Sequence, residues 1–170
     1  GEDVRPMLTI KGEGLVGLEY EPLYRPEFLG QDVMRFDDEG HLQRVTDPEE
    51  TNGLRRVIAA DYVSLEDGTG IVHIAPAFGG EDFEEGKKHR LLFVQPVDLR
   101  GIMADNLPGA GKFVKQADND VLRDLETRGL LLKKGTIKHT YPFCWRCRTP
   151  LLYYAKPSWY IRTTRYRQQL

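Results

Sequence analysis

Two cysteines, Cys144 and Cys147, are all the thiol chemistry in these 170 residues. They sit too close together to staple a fold, so nothing here argues for a secreted, disulfide-built domain. Long apolar runs are absent as well: none approaches the ~20 residues needed to cross a bilayer as a helix. No basic-then-apolar leader opens the chain, and the expected compartment is the cytosol. A Gly-x-Gly-x-x-Gly or Walker phosphate loop is missing, because Gly68-Thr69-Gly70 is too short and no helix follows it directly. There is also no Ser or Cys nucleophile with an obvious base, which speaks against covalent catalysis. Repeats and low-complexity tracts are lacking too.

The last scarcity is regional. Residues 127–170 hold ten Lys and Arg and no Asp or Glu, leaving 14 basic and all 26 acidic residues in the first 126. This basic stretch also carries Tyr141, Phe143, Trp145, Tyr153, Tyr154, Trp159, Tyr160 and Tyr166. Cationic side chains interleaved with aromatic rings suit a nucleic-acid surface, pairing phosphates and stacking bases. A solvated basic face over an aromatic core would give the same pattern.

What is present centres on residues 60–90. Glu66-Asp67-Gly68-Thr69-Gly70 is turn chemistry, with glycines able to take positive φ. Gly70–Ala75 is β-branched and apolar around His73 and predicts a strand ended by Pro76, which has no N–H to donate. Gly79-Gly80 then turns the chain into a helix opening with Glu81 and Asp82, acidic residues that suit the positive end of a helix dipole. A histidine on a strand and a carboxylate at a helix start thus flank one short loop. Ala75, Ala77 and Phe78 supply a small apolar wall, and such a pocket suits an amino acid whose α-ammonium pairs with Asp82. Taken singly, His73 could be a hydrogen-bonded core residue and Asp82 a helix cap.

Elsewhere the pattern predicts strands at 7–10, 15–20, 56–65 and 92–97, and further strands at 130–132 and 136–139. Residues 31–55, rich in turn signals, are expected to form a surface insertion or mobile loop. Ala117, Val121 and Leu125 recur every four residues, with Asp118 and Asp120 expected in the first turn, Arg128 in the last and Gly129 as the stop. They predict a helix whose apolar stripe is core packing. The fold class expected is α+β: a barrel-like, mostly antiparallel β domain with two or more helices.

Cys144-Trp145-Arg146-Cys147 is a C-x-x-C knuckle, and three readings of it compete. Zinc wants four ligands and two cysteines supply half; a redox pair prefers the start of a helix, whereas Thr149-Pro150 argues a turn; or the thiols merely occupy a buried turn. Half of a zinc site completed by a segment not in this chain is the better chemical fit.

Asp61-Tyr62-Val63, then Gly68-Thr69-Gly70-Ile71-Val72-His73-Ile74-Ala75-Pro76-Ala77-Phe78-Gly79 and Glu81-Asp82, resemble the editing (connective peptide) domain of isoleucyl-tRNA synthetases. The valyl and leucyl enzymes are the next closest relatives. Lys11-Gly12 with Tyr20-Glu21-Pro22 resembles the family's early hairpin, and Asn119-Asp120 the helix after the pocket. Tyr141-Pro142, the cysteine turn, Thr149-Pro150-Leu151 and Tyr153-Tyr154-Ala155 resemble the exit towards the catalytic core.

The resemblance implies hydrolysis of valine mischarged onto tRNA(Ile), within an enzyme that ligates isoleucine to tRNA(Ile) using ATP and magnesium. Asp82 and His73 would be the catalytic-site residues, Gly70, Ala75 and Phe78 substrate-binding positions, and Cys144 and Cys147 a metal half-site for zinc in the full-length enzyme. It divides the chain into residues 1–143, an editing domain without its N-terminal part, and 144–170, the knuckle half and the connection back. The family's Thr-Thr-Thr-Pro-Trp stretch does not occur here, nor do its His-Ile-Gly-His and Lys-Met-Ser-Lys-Ser signatures. The expectation is therefore a part of the synthetase without ATP use, whose partners are tRNA(Ile) and the rest of the synthetase, with no membrane and no cofactor of its own.

Overall fold

The computed structural model describes residues 6–66, 69–136, 138 and 140–167. Its sheet has three antiparallel strands in the order β2-β1-β3: β1 is Val33–Phe36, β2 Leu42–Arg44 and β3 Leu92–Val94. Register is set by Phe36 opposite Leu42 in the hairpin and by Met34 opposite Phe93 across the β1–β3 pair. Two α-helices complete it, α1 at Gly80–His89 and α2 at Val114–Thr127. The α+β class therefore holds, and the described sheet is open rather than closed into a barrel.

The hairpin overturns the expectation for residues 31–55. The turn signals at residues 37–40 belong to the β-turn of a hairpin, and those at 47–51 to a short 3-10 helix at Pro48–Thr51 capped by Asp47. Asp37 Oδ1 accepts from the backbone N–H groups of Glu39 and His41, and Asp37 N–H donates to His41 O at 2.9 Å. Gly40 adopts φ 78°, the left-handed conformation such a turn needs. The loop throws Val33 and Phe36 into the core, where Phe36 is fully buried.

α1 covers the sheet. Phe83 packs edge-to-face on Phe36 and Phe93, with ring centroids 5.2 and 6.2 Å apart, an arrangement that suits the ring quadrupoles. Gly86 lets the helix approach Pro76 and Phe36: a β-carbon there would lie 2.8 Å from the proline ring. The helix runs from Glu81 and Asp82 in its first turn to Lys87, Lys88 and His89 in its last, both complementing its dipole. Arg90, at φ 55°, closes it and feeds β3 directly.

α2 buries Ala117 and stops at Gly129 as expected, although Arg128 is its C-cap residue and not part of its last turn. Gly129 stands at φ 67°, and Leu130 N–H donates to Leu125 O at 2.8 Å. It begins earlier than expected, at Val114, so Asp118 and Asp120 lie beyond the first turn. Its outer end holds the chain's early part: Tyr24 donates to Asp124 at 2.7 Å, and Arg128 donates to Leu23 O.

Several predicted strands do not form. Residues 7–10 and 130–132 join no ladder, residues 15–20 and 56–65 share a single bridge at Glu19 and Arg56, and Gly70–Ala75 pairs with no strand among the described residues. β-branched sequence favours a strand only where a neighbouring edge exists to receive it. Ile71 and Val72 stay exposed. Asp67 and Gly68 of the predicted turn and Ile137 and His139 of the predicted last strand lie outside the described residues.

Candidate functional site

The loop between Ala75 and Gly80 is held at both ends. Phe78 N–H donates to Ala75 O at 2.8 Å, which makes residues 75–78 a tight turn, and Phe83 N–H donates to Gly79 O at 2.9 Å, which starts α1. Asp82 reaches back from the first helical turn, and its Oδ2 accepts from Ala75 N–H at 3.0 Å. Asp82 is thus not the cap residue; Gly79 takes that position without a side chain to offer. Among the described residues Oδ1 of Asp82 accepts no hydrogen bond, and the carboxylate is only partly buried. Oδ2 braces the loop, and Oδ1 keeps its lone pairs uncommitted among the described residues.

The loop's small residues have distinct surroundings. Ala77 is 1 % exposed and packs with Phe36 and Phe93. Phe78 is half-buried at the margin of that cluster, and its ring meets Tyr154 edge-to-face with centroids 5.9 Å apart. Gly70 adopts φ 72°, and a β-carbon there would strike the Leu65 side chain. His73 lies in the extended run, exposed to solvent.

The structure therefore joins Asp82 to Ala75 directly and Phe78 to Ala75 through the turn. No hydrogen bond links His73 to Asp82 among the described residues. Tyr62 was not marked by sequence as a site residue, yet it stands near the acidic helix start. Burial, and then the charges of Asp82, Glu85 and Glu81, push its phenol above the ordinary range. Its position in Asp61-Tyr62-Val63 was visible, but nothing in the spacing brought it to the helix.

The cysteine knuckle is a turn, as its Thr149-Pro150 sequel predicts. Cys144 N–H donates to Thr149 O and Arg148 N–H to Cys144 O, both at 2.9 Å, and Phe143 bridges to Pro150. Cys147 is exposed, and the Thr149 hydroxyl, 3.1 Å from its sulfur, is the largest cause holding its thiol down at about 7. Two thiols would supply two of the four ligands that tetrahedral zinc takes. Among the described residues no third His, Cys, Asp or Glu joins them.

An open cleft of about 640 Å³ lies elsewhere, between α2 and the 106–109 loop. None of the predicted site residues lines it, and its acids are already paired, Asp124 with Tyr24 and Arg128 and Asp120 with Lys112.

Comparison with known proteins gives these features a context. No protein-family model matches the chain. Curated proteins do match, and they define the class as aminoacyl-tRNA synthetase. An isoleucine–tRNA ligase of Dehalococcoides mccartyi (strain CBDB1) is 49 % identical over 162 residues, 94 % of this chain and 15 % of the relative. That of Methanothermobacter thermautotrophicus is 42 % identical over 172 residues, all of this chain and 15 % of the relative, and that of Thermus thermophilus 41 % over 170 residues, all of this chain and 14 % of the relative. The chain belongs, as a segment, to the isoleucine–tRNA ligase family. It spans about 15 % of the length of the curated relatives it matches.

Proposed function

We propose that this segment carries the editing site of an isoleucyl-tRNA synthetase, hydrolysing valine mischarged onto tRNA(Ile). The full-length enzyme, acting in the cytosol, ligates isoleucine to tRNA(Ile) using ATP. The need for such a site is physical. A pocket that accepts isoleucine rejects valine by only one methylene's worth of binding, and this enzyme family is itself the reference example of that limit, roughly 150-fold. A second, smaller pocket that admits valine and excludes isoleucine supplies the missing accuracy.

The observation that carries the reading is the Asp82 carboxylate, braced through Oδ2 on Ala75 beside the Ala75–Phe78 turn, with no hydrogen bond to Oδ1 among the described residues. On this reading Asp82 holds the α-ammonium group of the aminoacyl ester. Ala75 and Phe78 wall the side chain, Gly70 clears backbone for the substrate, and His73 approaches the scissile ester from the exposed run. Water, positioned by the site and the terminal ribose of the tRNA, attacks the ester carbonyl; the ribose oxygen leaves with a proton and valine departs as the free acid.

The test is hydrolysis of Val-tRNA(Ile) by the full-length enzyme carrying Asp82→Ala or His73→Ala. Losing a charge-assisted contact to the ammonium group should slow Asp82→Ala by roughly ten- to a hundredfold. Unchanged hydrolysis in both variants would remove the site assignment. The 170-residue chain alone is expected to hydrolyse the ester weakly or not at all.

A second reading rests on a different face. Trp145 and Trp159 are exposed, and the Arg146 guanidinium stacks over the Trp145 ring at 4.8 Å. The basic, aromatic stretch at residues 127–170 would then bind tRNA without catalysis. Salt-sensitive binding that survives Asp82→Ala and weakens when Arg146, Arg148 and Arg162 are neutralised would favour it.

A further inference from the structure

Residues 153–155 lie far in sequence from the Ala75–Gly80 loop and yet grip it. Ala155 N–H donates to Ala77 O at 2.9 Å. Ala155 O in turn accepts from Gln95 Nε2 at 2.8 Å, so the residue is clamped between the loop and the chain leaving β3. Tyr154 donates its hydroxyl to Val97 O at 3.0 Å and sets its ring against Phe78. Burial, and then the charge of Asp98, raise the Tyr154 phenol above its ordinary range, consistent with a hydroxyl committed to donating. The remaining side of the Phe78 turn is the buried core at Ala77. The ring of Phe78 is therefore placed from behind by this strap, not by its own loop alone.

We propose that Tyr154 is a positioning residue that sets the size limit of the amino-acid pocket by fixing the Phe78 wall. The inference rests on the editing reading above and deepens it. A pocket separating two side chains that differ by one methylene depends on wall placement to a few tenths of an ångström, because packed interiors transmit rather than absorb such shifts. Loosening the strap lets the Phe78 ring retreat and admits the larger isoleucyl group. Valine, which already fits, gains nothing.

The readout is the ratio of Ile-tRNA(Ile) to Val-tRNA(Ile) hydrolysis by the full-length synthetase. Tyr154→Leu should raise that ratio about fivefold or more, whereas Tyr154→Phe, which keeps the ring, should change it less than about twofold. A merely structural role would lower both rates together and leave the ratio alone. Phe78→Ala separates the two levels. If Phe78→Ala moves the ratio and Tyr154→Leu does not, the strap proposal is wrong and the pocket stands. If neither moves it, the pocket reading falls and the strap proposal with it. Should Tyr154→Leu unfold, Gln95→Leu, which frees Ala155 O without altering a ring, is expected to raise the ratio in the same sense, and an unchanged ratio there overturns the proposal.

Discussion

Gly79 stands so near the Asp82 carboxylate that a β-carbon on it would lie 2.8 Å from Oδ2 and 3.2 Å from the Asp82 Cβ. The φ of Gly79 is −143°, extended backbone open to any residue, so glycine is required by proximity and not by conformation. A methyl group at this position can be accommodated only if Asp82 swings away from Ala75. Gly79→Ala is therefore expected to cost the Asp82–Ala75 hydrogen bond, about 1–2 kcal/mol of stability, measured by urea unfolding. In the full-length enzyme it should also lower Val-tRNA(Ile) hydrolysis. Unaltered stability would mean that the loop relaxes without losing that bond.

Asp82 itself can be split into its two duties. Asparagine retains an oxygen able to accept from Ala75 N–H but carries no charge, whereas alanine removes both. Asp82→Asn should lie within about 1 kcal/mol of the parent in stability, and Asp82→Ala about 1–3 kcal/mol below it. If Oδ1 binds an ammonium group, both variants should nonetheless lose editing to a similar extent. Hydrolysis that tracks stability instead of charge would reduce Asp82 to a brace.

At Gly86 the helix meets the same loop from the other side. A β-carbon would approach Pro76 Cβ and Cγ to 2.8 Å and Phe36 Cε2 to 3.1 Å, and these are a ring and a fully buried aromatic with little room to yield. Alanine would gain up to about 1 kcal/mol of helix propensity. Overpacking of a filled core costs about 1–3 kcal/mol. Gly86→Ala should therefore be net destabilising, with a lowered urea midpoint and an unchanged slope.

The loop and helix that carry the site were legible in the sequence, because their signals are local. Pro76 and Gly79-Gly80 punctuate the chain, and Glu81 and Asp82 mark the helix start where the structure has it. Gly129 closes α2 for the same reason. The strand at 70–75 was misread, because residue type states a preference while a ladder needs a partner that composition does not reveal. The hairpin at 33–44 was misread in the opposite sense. Asp37 to Gly40 carry turn chemistry that alone predicts a loop, although Phe36 and Leu42 on either side are what a short hairpin requires. Tyr154 reaches the site through contacts across many residues, and Tyr62 comes within range of the charges at the start of α1; no spacing rule predicts either.

Glu50 offers a test on the acid side of the pH scale. Its Oε1 accepts from the backbone N–H groups of Asp47 and Thr46, both at 3.0 Å, and from the Thr46 hydroxyl, while Oε2 meets Arg35 on β1 at 3.3 Å. These bonds, the Asp47 N–H foremost, hold its carboxyl down at about 2, from an ordinary 4.5. A carboxyl lowered by folding favours the native state only while it is ionised. Its contribution is therefore complete above about pH 4.5 and fades as the pH falls towards 2. Asp37, Asp98, Asp120 and Asp124 are lowered in the same direction, so the parent protein's acid transition is a shared one. Glu50→Gln isolates one share of it. The difference in thermal midpoint between parent and Glu50→Gln should be constant from pH 7 to about pH 5, narrow below that, and close near pH 2. A difference that stays constant down to pH 2 would show that Glu50 acts through its shape and its neutral hydrogen bonds, with the charge contributing nothing to the tie between this turn and β1.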